Sequence, residues 1–315
     1  MNFHLAAKAV HPELSLKGSA DRLLFVLRCA FCYPHARTWH AWLNEPLMAP
    51  AVRANPILYR KIIRPYFSAW WTKAQTLRVL REHFEFVAGR LNRGPFLESC
   101  TPGGFLLLQF TGQQGMVLQV RCVNDGKFSK EGELSLVLSS GKANVMAYSL
   151  TCVIVRGGSG PCDTLVIGGM QGPDFGADKN IIRDVAKALH GLRPKALLLF
   201  VAQEIAQAWQ LQRIRATSNR AHISRHIDYA LNRSRRPKLN YDEFWQESGG
   251  RRRADGYYDL PLGYIRRSNS EMKPNKRSLY NQRYEMLDRI SVDIRARLSE
   301  LANHGVPHED VGGTD

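Results

Sequence analysis

Between residues 104 and 169 the chain alternates strand-like runs with turns, and this rhythm constrains the fold more than any other feature. The runs 104–110, 115–123, 132–139, 143–156 and 163–169 are rich in Leu, Val and Phe, and turn clusters such as Asn124-Asp125-Gly126 and Gly157-Gly158-Ser159-Gly160 separate them. Apolar runs of this length bounded by Gly, Asn, Asp and Ser read as strands. Only antiparallel neighbours can be joined by such short connections, so a meander is expected. A helix follows over Pro194–Gln210, with Pro194 suited to its first turn. Leu197, Leu198, Leu199, Phe200, Val201 and Ile205 leave the stretch Lys195–Trp209 with scarcely a polar face. Such a helix must be buried, here against the sheet. Leu211–Thr217 then reads as one more strand. The expected fold class is α+β: a mostly antiparallel central sheet with a buried helix.

The flanks differ from this core. Residues 1–93 form a helical N-terminal region, broken by Pro34, Pro46, Pro50, Pro56 and Pro65. Asp21 is read as the cap of a helix running toward Cys32. Leu77, Leu80, Phe84 and Val87 give a later helix, from about Ala69 to Leu91, one buried face. Residues 94–231 form the core, ending in a short helix over Ala221–Leu231. Residues 232–301 combine an irregular basic segment rich in Tyr and Trp with a C-terminal helix from about Lys276 to Leu301, and 302–315 form a tail.

With 44% hydrophobic and 23% charged residues over 315 positions, the chain has the composition of a globular protein. No run of 18 apolar residues marks a transmembrane helix. The apolar stretch Leu23–Cys32 is cut by Arg28 and lacks the start and cleavage site of a signal peptide. A cytoplasmic protein is expected, or one held peripherally at the inner membrane. Basic residues exceed acidic ones by 44 to 28, unevenly: 14 against 6 in residues 1–100, 10 against 8 in 101–211, and 20 against 10 in 212–299. Two basic arms flanking a near-neutral centre suit polyanions such as anionic lipid. Arg251, Arg252, Arg253, Arg266 and Arg267, interleaved with aromatics, are the candidate polyanion contacts. No helix-turn-helix, zinc-finger or RNA-binding signature accompanies them, so nucleic acid is not the expected partner. Among the six cysteines only Cys29 and Cys32 have ligand-like spacing, and no second pair completes a metal site, so no metal is expected.

The strand–loop–helix at 163–183 carries the most chemistry. It ends in Gly169-Met170-Gln171-Gly172, where backbone N–H groups can meet a phosphate. Neither GxGxxG nor GxxxxGK[ST] is present. The order of elements is compatible with an acyl-coenzyme A N-acyltransferase fold, in which a glycine-containing loop between a central strand and the next helix holds pyrophosphate, although the short helix before Pro194 is an extra element. Two placements are open: Gln171 with Gly172, or Gly191, Arg193 and Lys195. Asn219 and His222 would then stand near the reacting centre, with His222 as general base because its ordinary pKa is close to neutrality. His222 and His226, four residues apart, would share one helix face.

Several motifs together resemble the VirK/YbjX family of bacterial proteins. They are Ile167-Gly168-Gly169-Met170-Gln171-Gly172, Leu189-His190-Gly191-Leu192-Arg193-Pro194-Lys195, Ser218-Asn219-Arg220-Ala221-His222, Tyr241-Asp242-Glu243-Phe244-Trp245, and Lys276-Arg277-Ser278-Leu279-Tyr280 with Glu271 and Arg283. The resemblance spans roughly residues 15–300. It implies a role in envelope stress, virulence and defence against antimicrobial peptides in Gram-negative bacteria, and supplies no catalytic residues. From the element order and the basic arms, two functions are expected: an acyltransferase-like activity using acyl-coenzyme A or an acyl carrier, or non-catalytic docking on anionic lipid or another polyanion. A pocket in which Gln171, Arg193, Asn219 and His222 converge would favour the first. The same residues buried in packing would favour the second.

Overall fold

The computed structural model describes residues 2–140, 145–157, 162–173, 180–226 and 240–303. Six helices come first: α1 (Phe3–Val10), α2 (Leu16–Phe31), α3 (Tyr33–Leu43), α4 (Ala49–Ala54), α5 (Lys73–Arg90) and α6 (Arg93–Ser99). Strands β1 (Phe105–Thr111), β2 (Val117–Val123), β3 (Leu134–Ser140), β4 (Val145–Val155) and β5 (Thr164–Gln171) follow. Then come α7 (Asn180–Ala188), α8 (Pro194–Ala208), β6 (Arg213–Thr217), α9 (Tyr241–Glu247), β7 (Arg251–Arg252), β8 (Tyr257–Leu260) and α10 (Arg277–Glu300).

Caps set the helix starts. Thr72 accepts from the Gln75 N–H while the Gln75 side chain returns to the Thr72 N–H, so α5 begins after Thr72 and not at Ala69. Ser15, not Asp21, caps α2 by accepting from the Gly18 N–H at 3.0 Å. Residues 222–226 form only a 3-10 turn, so His222 and His226 share no α-helical face; residues 227–231 of the expected helix lie outside the described residues, as do 304–315 of the expected tail.

Among the described residues the strands form one eight-stranded sheet in the order β1-β2-β3-β4-β5-β6-β8-β7. Every pairing is antiparallel except β5 with β6. The expected α+β class with a mostly antiparallel sheet holds. The parallel pair is made by the α7–α8 crossover, because a parallel neighbour needs a long return. α8 is buried over nearly its whole length and packs on β3, β4 and β6. α10 lies on α8 and β1. Between those helices, buried Glu204 accepts from Ser291 Oγ at 2.6 Å and Arg295 Nε at 3.0 Å.

The N-terminal helices reach the sheet through α6, which packs on β1 and β2, and α5, which packs on β4. There buried His83 accepts the Ile154 N–H at 3.1 Å, and burial lowers its imidazole to about 3. Nearby, Lys61 Nζ meets Glu133 Oε1 at 2.8 Å with both side chains out of solvent, and Asn124 Nδ2 donates to the second carboxylate oxygen at 2.9 Å. A buried pair of this kind is stable only with such added hydrogen bonds.

Candidate functional site

The parallel pairing of β5 with β6 stops at Ile167 and Ala216, although β5 continues to Gln171. Past that point the two strands part, and the backbone of Gly168–Gln171 needs other partners on that side. Thr217 Oγ1 donates to Gly168 O at 2.9 Å. The Tyr241 hydroxyl accepts from the Met170 N–H at 3.0 Å and donates to Met170 O at 3.1 Å. Burial, and then the Glu131 carboxylate, push the Tyr241 phenol well above its ordinary pKa, so it remains a donor. Trp245 Nε1 closes the wedge by donating to Thr217 O at 2.9 Å.

Glu131 stands at the centre of this wedge. A Cβ on Gly169 would run into its carboxylate, and one on Gly168 into its backbone carbonyl. The two glycines are therefore what lets the 125–133 loop lie over β5. Gln171 Nε2 donates to Glu131 Oε2 at 3.0 Å, and His222 Nε2 faces Glu131 Oε1 at 3.4 Å. The Ser224 N–H is 3.2 Å from His222 Nδ1, which therefore accepts and leaves the neutral ring's proton on Nε2, toward the carboxylate. The ring stacks on Tyr241 at 5.0 Å and is only 2% exposed. The N-terminal region supplies the remaining wall: Ser68 bridges to His222, and Ala69 N donates to Ala221 O at 3.1 Å.

Of the residues expected at a site, Gln171 and His222 thus meet on Glu131. Asn219 is spent on α9, where its Oδ1 accepts the Tyr241 N–H at 2.9 Å and its Nδ2 donates to Asn240 Oδ1 at 2.7 Å. Arg193 lies on the outer side of α9, with Nη2 on Glu247 Oε2 at 2.6 Å and the guanidinium over Phe244. Lys195 sits 4.3 Å from the same ring, its pKa lowered by burial and then by Arg193. Gly172 is half-buried beside Tyr148. The rings of Phe244, Trp245 and Tyr241 stand between Arg193 and His222. The convergent pocket expected from the sequence is not formed: the aromatic face of α9 fills the space between its members.

Gly191 adopts φ +72° in a turn whose preceding carbonyl, His190 O, accepts from Arg283. The expected polyanion cluster is divided. Arg251 and Arg252 are exposed on edge strand β7, whereas Arg253 is paired with Asp255 and Asp259. Arg266 pairs with Asp288 on α10, and Arg267 lies over Tyr280. Among the described residues no group of three or more His, Cys, Asp or Glu side chains is placed to hold a metal.

Sequence reasoning missed Glu131, Tyr241 and Arg283 as site-forming residues. Tyr241 and Arg283 stood inside quoted motifs, and that was their signal. Glu131 had none, because Lys130-Glu131-Gly132-Glu133 has the texture of a solvated turn.

The family described as "Protein of unknown function (DUF535)" matches residues 15–296. The chain belongs to this family. It is 30% identical to the uncharacterized protein YbjX of Escherichia coli (strain K12) over 79% of this chain and 76% of that one. The membrane protein LapB of Mannheimia haemolytica is 23% identical over 62% of this chain and 81% of its own length. Among solved structures, a cAMP-binding acyltransferase from Mycobacterium smegmatis aligns with a TM-score of 0.32 and 10% identity. That alignment covers 70% of this chain and 59% of the other, and a likeness at that score carries no argument about activity.

Proposed function

We propose that this protein docks on an anionic lipid surface through its N-terminal helices, in support of the envelope defence that the family resemblance implies. The observation that carries this reading is the outer face of α2. Leu16, Leu23, Leu24, Leu27 and Phe31 form one stripe along it, and Leu16 and Phe31 are 93% and 94% exposed. The opposite face, with Phe25 and Cys29, is already packed on the core, so the helix is apolar on both sides. An exposed apolar patch of this kind marks an interaction surface. Lys17 and Arg37 are exposed on α2 and α3, and residues 1–100 hold 14 basic against 6 acidic side chains. Burying each large apolar side chain contributes at most about 1.5–3 kcal/mol, and each basic group near an anionic surface about 1 kcal/mol. Cationic antimicrobial peptides seek the same anionic surface, which links docking to defence. No helix among the described residues is long and apolar enough to cross a membrane, so the contact is peripheral, as at the inner face of a bacterial membrane. A relative named as a membrane protein agrees with it.

The test is sedimentation with vesicles of phosphatidylglycerol and phosphatidylcholine against phosphatidylcholine alone. Binding to the anionic vesicles that falls at least tenfold in Leu23→Glu/Phe31→Glu is expected. No binding by the parent protein, or a dimer that the double variant dissociates without any lipid binding, would overturn the reading.

A second reading, an acyltransferase-like enzyme, draws on the Glu131–His222 pair beneath Gln171. In it His222 takes a proton from the acceptor substrate, and Arg193, Lys195 and Gly172 hold the phosphates of acyl-coenzyme A or an acyl carrier. It requires α9 to move away from β5. Saturable thermal stabilisation by acyl-coenzyme A would support it, and none on well-folded protein would count against it.

A further inference from the structure

Arg283 is a buried cation whose guanidinium lies over the Tyr280 ring, 4.5 Å from its centroid. It is 9% exposed, and its Nε and Nη2 donate to a neutral acceptor, His190 O, at 3.1 and 2.8 Å. No carboxylate among the described residues pairs with it. A guanidinium taken out of water costs several kcal/mol unless an opposite charge compensates. Beside it opens a cavity of about 440 Å³, lined by Gly191, Arg267, Lys273, Lys276, Tyr280 and Arg283.

The other charges around this cavity point the same way. Lys273 and Lys276 are exposed at its wall and have no ion-pair partner among the described residues. The one acid there, Glu271, is turned back onto its own 3-10 turn, where its Oε2 accepts from the Ser268 N–H at 2.6 Å and lies 2.9 Å from Ser268 Oγ. Those hydrogen bonds hold its carboxyl below the usual range. The concavity therefore gathers four cations against one carboxylate already committed elsewhere. Met272 and Leu279 add apolar wall, and the volume exceeds what a bare phosphate ion fills.

We propose that this cavity binds a phosphate-bearing small molecule, with Arg283 as the fixed donor on its floor and Lys273 and Lys276 closing over the anion. A planar guanidinium held by a backbone carbonyl keeps its remaining N–H groups in a set direction, which suits phosphate oxygens. Two separate motifs of the sequence, His190-Gly191 and Lys276 through Arg283, meet here. The inference is independent of docking by α2.

The test is calorimetric titration with inorganic pyrophosphate, glycerol 3-phosphate and sodium chloride at matched ionic strength. Lys273→Glu/Lys276→Glu is the main variant, because both residues are exposed and the fold does not depend on them. Arg283→Lys, which keeps the charge and loses the fork, is the second. Saturable binding of either phosphate compound, weakened at least tenfold in the lysine variant and measurably in Arg283→Lys, is expected. Vesicles of phosphatidylglycerol separate the sources. If free compounds bind, the ligand is a soluble phosphate ester. If vesicles alone bind, and the lysine variant weakens them while Leu23→Glu/Phe31→Glu does not, it is a lipid headgroup. Binding of neither, or affinity unchanged in the lysine variant, overturns the proposal.

Discussion

Two clusters of polar side chains, one on Glu131 and one around Arg283, differ in one respect. Around Glu131, most groups are hydrogen-bonded inside the protein, Gln171 on the carboxylate, Ser224 on the imidazole and Tyr241 on the strand backbone, while His222 Nε2 only faces the carboxylate at 3.4 Å. Around Arg283, the partners are all neutral, the His190 carbonyl, the Tyr264 side chain and the Tyr280 ring, and two lysines have no ion-pair partner among the described residues. A cluster that satisfies itself stabilises a fold, and one that does not is waiting for something from solvent. The resemblance drew attention to both, and only the geometry tells them apart.

Breaking the matched interior should have the largest effect. Glu133→Gln leaves Lys61 charged and unpaired in the core, and a loss of about 3–5 kcal/mol is expected in urea unfolding. Acid should act on the same interior. Burial lowers His83 to about 3 and His40 to about 4, so the folded state holds both imidazoles neutral. Their contribution is complete above pH 6.5, where the unfolded chain is also neutral, and is lost as the pH falls from there toward 4 and 3. The slope is about 1.4 kcal/mol per pH unit for each group, which makes about 3–4 kcal/mol by pH 5. A flat stability profile between pH 7 and 5 would contradict this assignment. Tyr241→Phe should cost about 1–3 kcal/mol, because it strands the Met170 N–H and carbonyl where the strands part. The open cluster should behave in the opposite way. Lys273→Glu/Lys276→Glu should leave the unfolding midpoint within about 0.5 kcal/mol of the parent while removing pyrophosphate binding. If that variant unfolds as Glu133→Gln does, the contrast between the two clusters fails.

The first six strands were legible within about three residues because each is an apolar run bounded by turn formers, and both features are local. α8 was legible for the same reason. β7 and β8 were not: Arg251-Arg252 and Tyr257–Leu260 are too short to show alternation, and pairing with the open edge of β6 is what makes them strands. α9 was read as irregular, since seven residues give little periodicity, although Asn240 caps it through the Glu243 N–H at 3.4 Å. Among the site residues, Asn219 looked like a ligand because Asn amides serve ligands and helix starts equally. Its two partners lie 21 and 22 residues away, beyond the reach of any local pattern.

What the sequence determined by itself was the α+β layout, the basic arms and the kinship, because hydrophobic period, turn chemistry and charge are written residue by residue. The tertiary structure alone decided which charges are neutralised. Whether Glu131, Arg193 or Arg283 has an opposite partner depends on segments 54 to 93 residues apart in the chain being folded together, and that pairing is what separates a structural charge from one left free to bind.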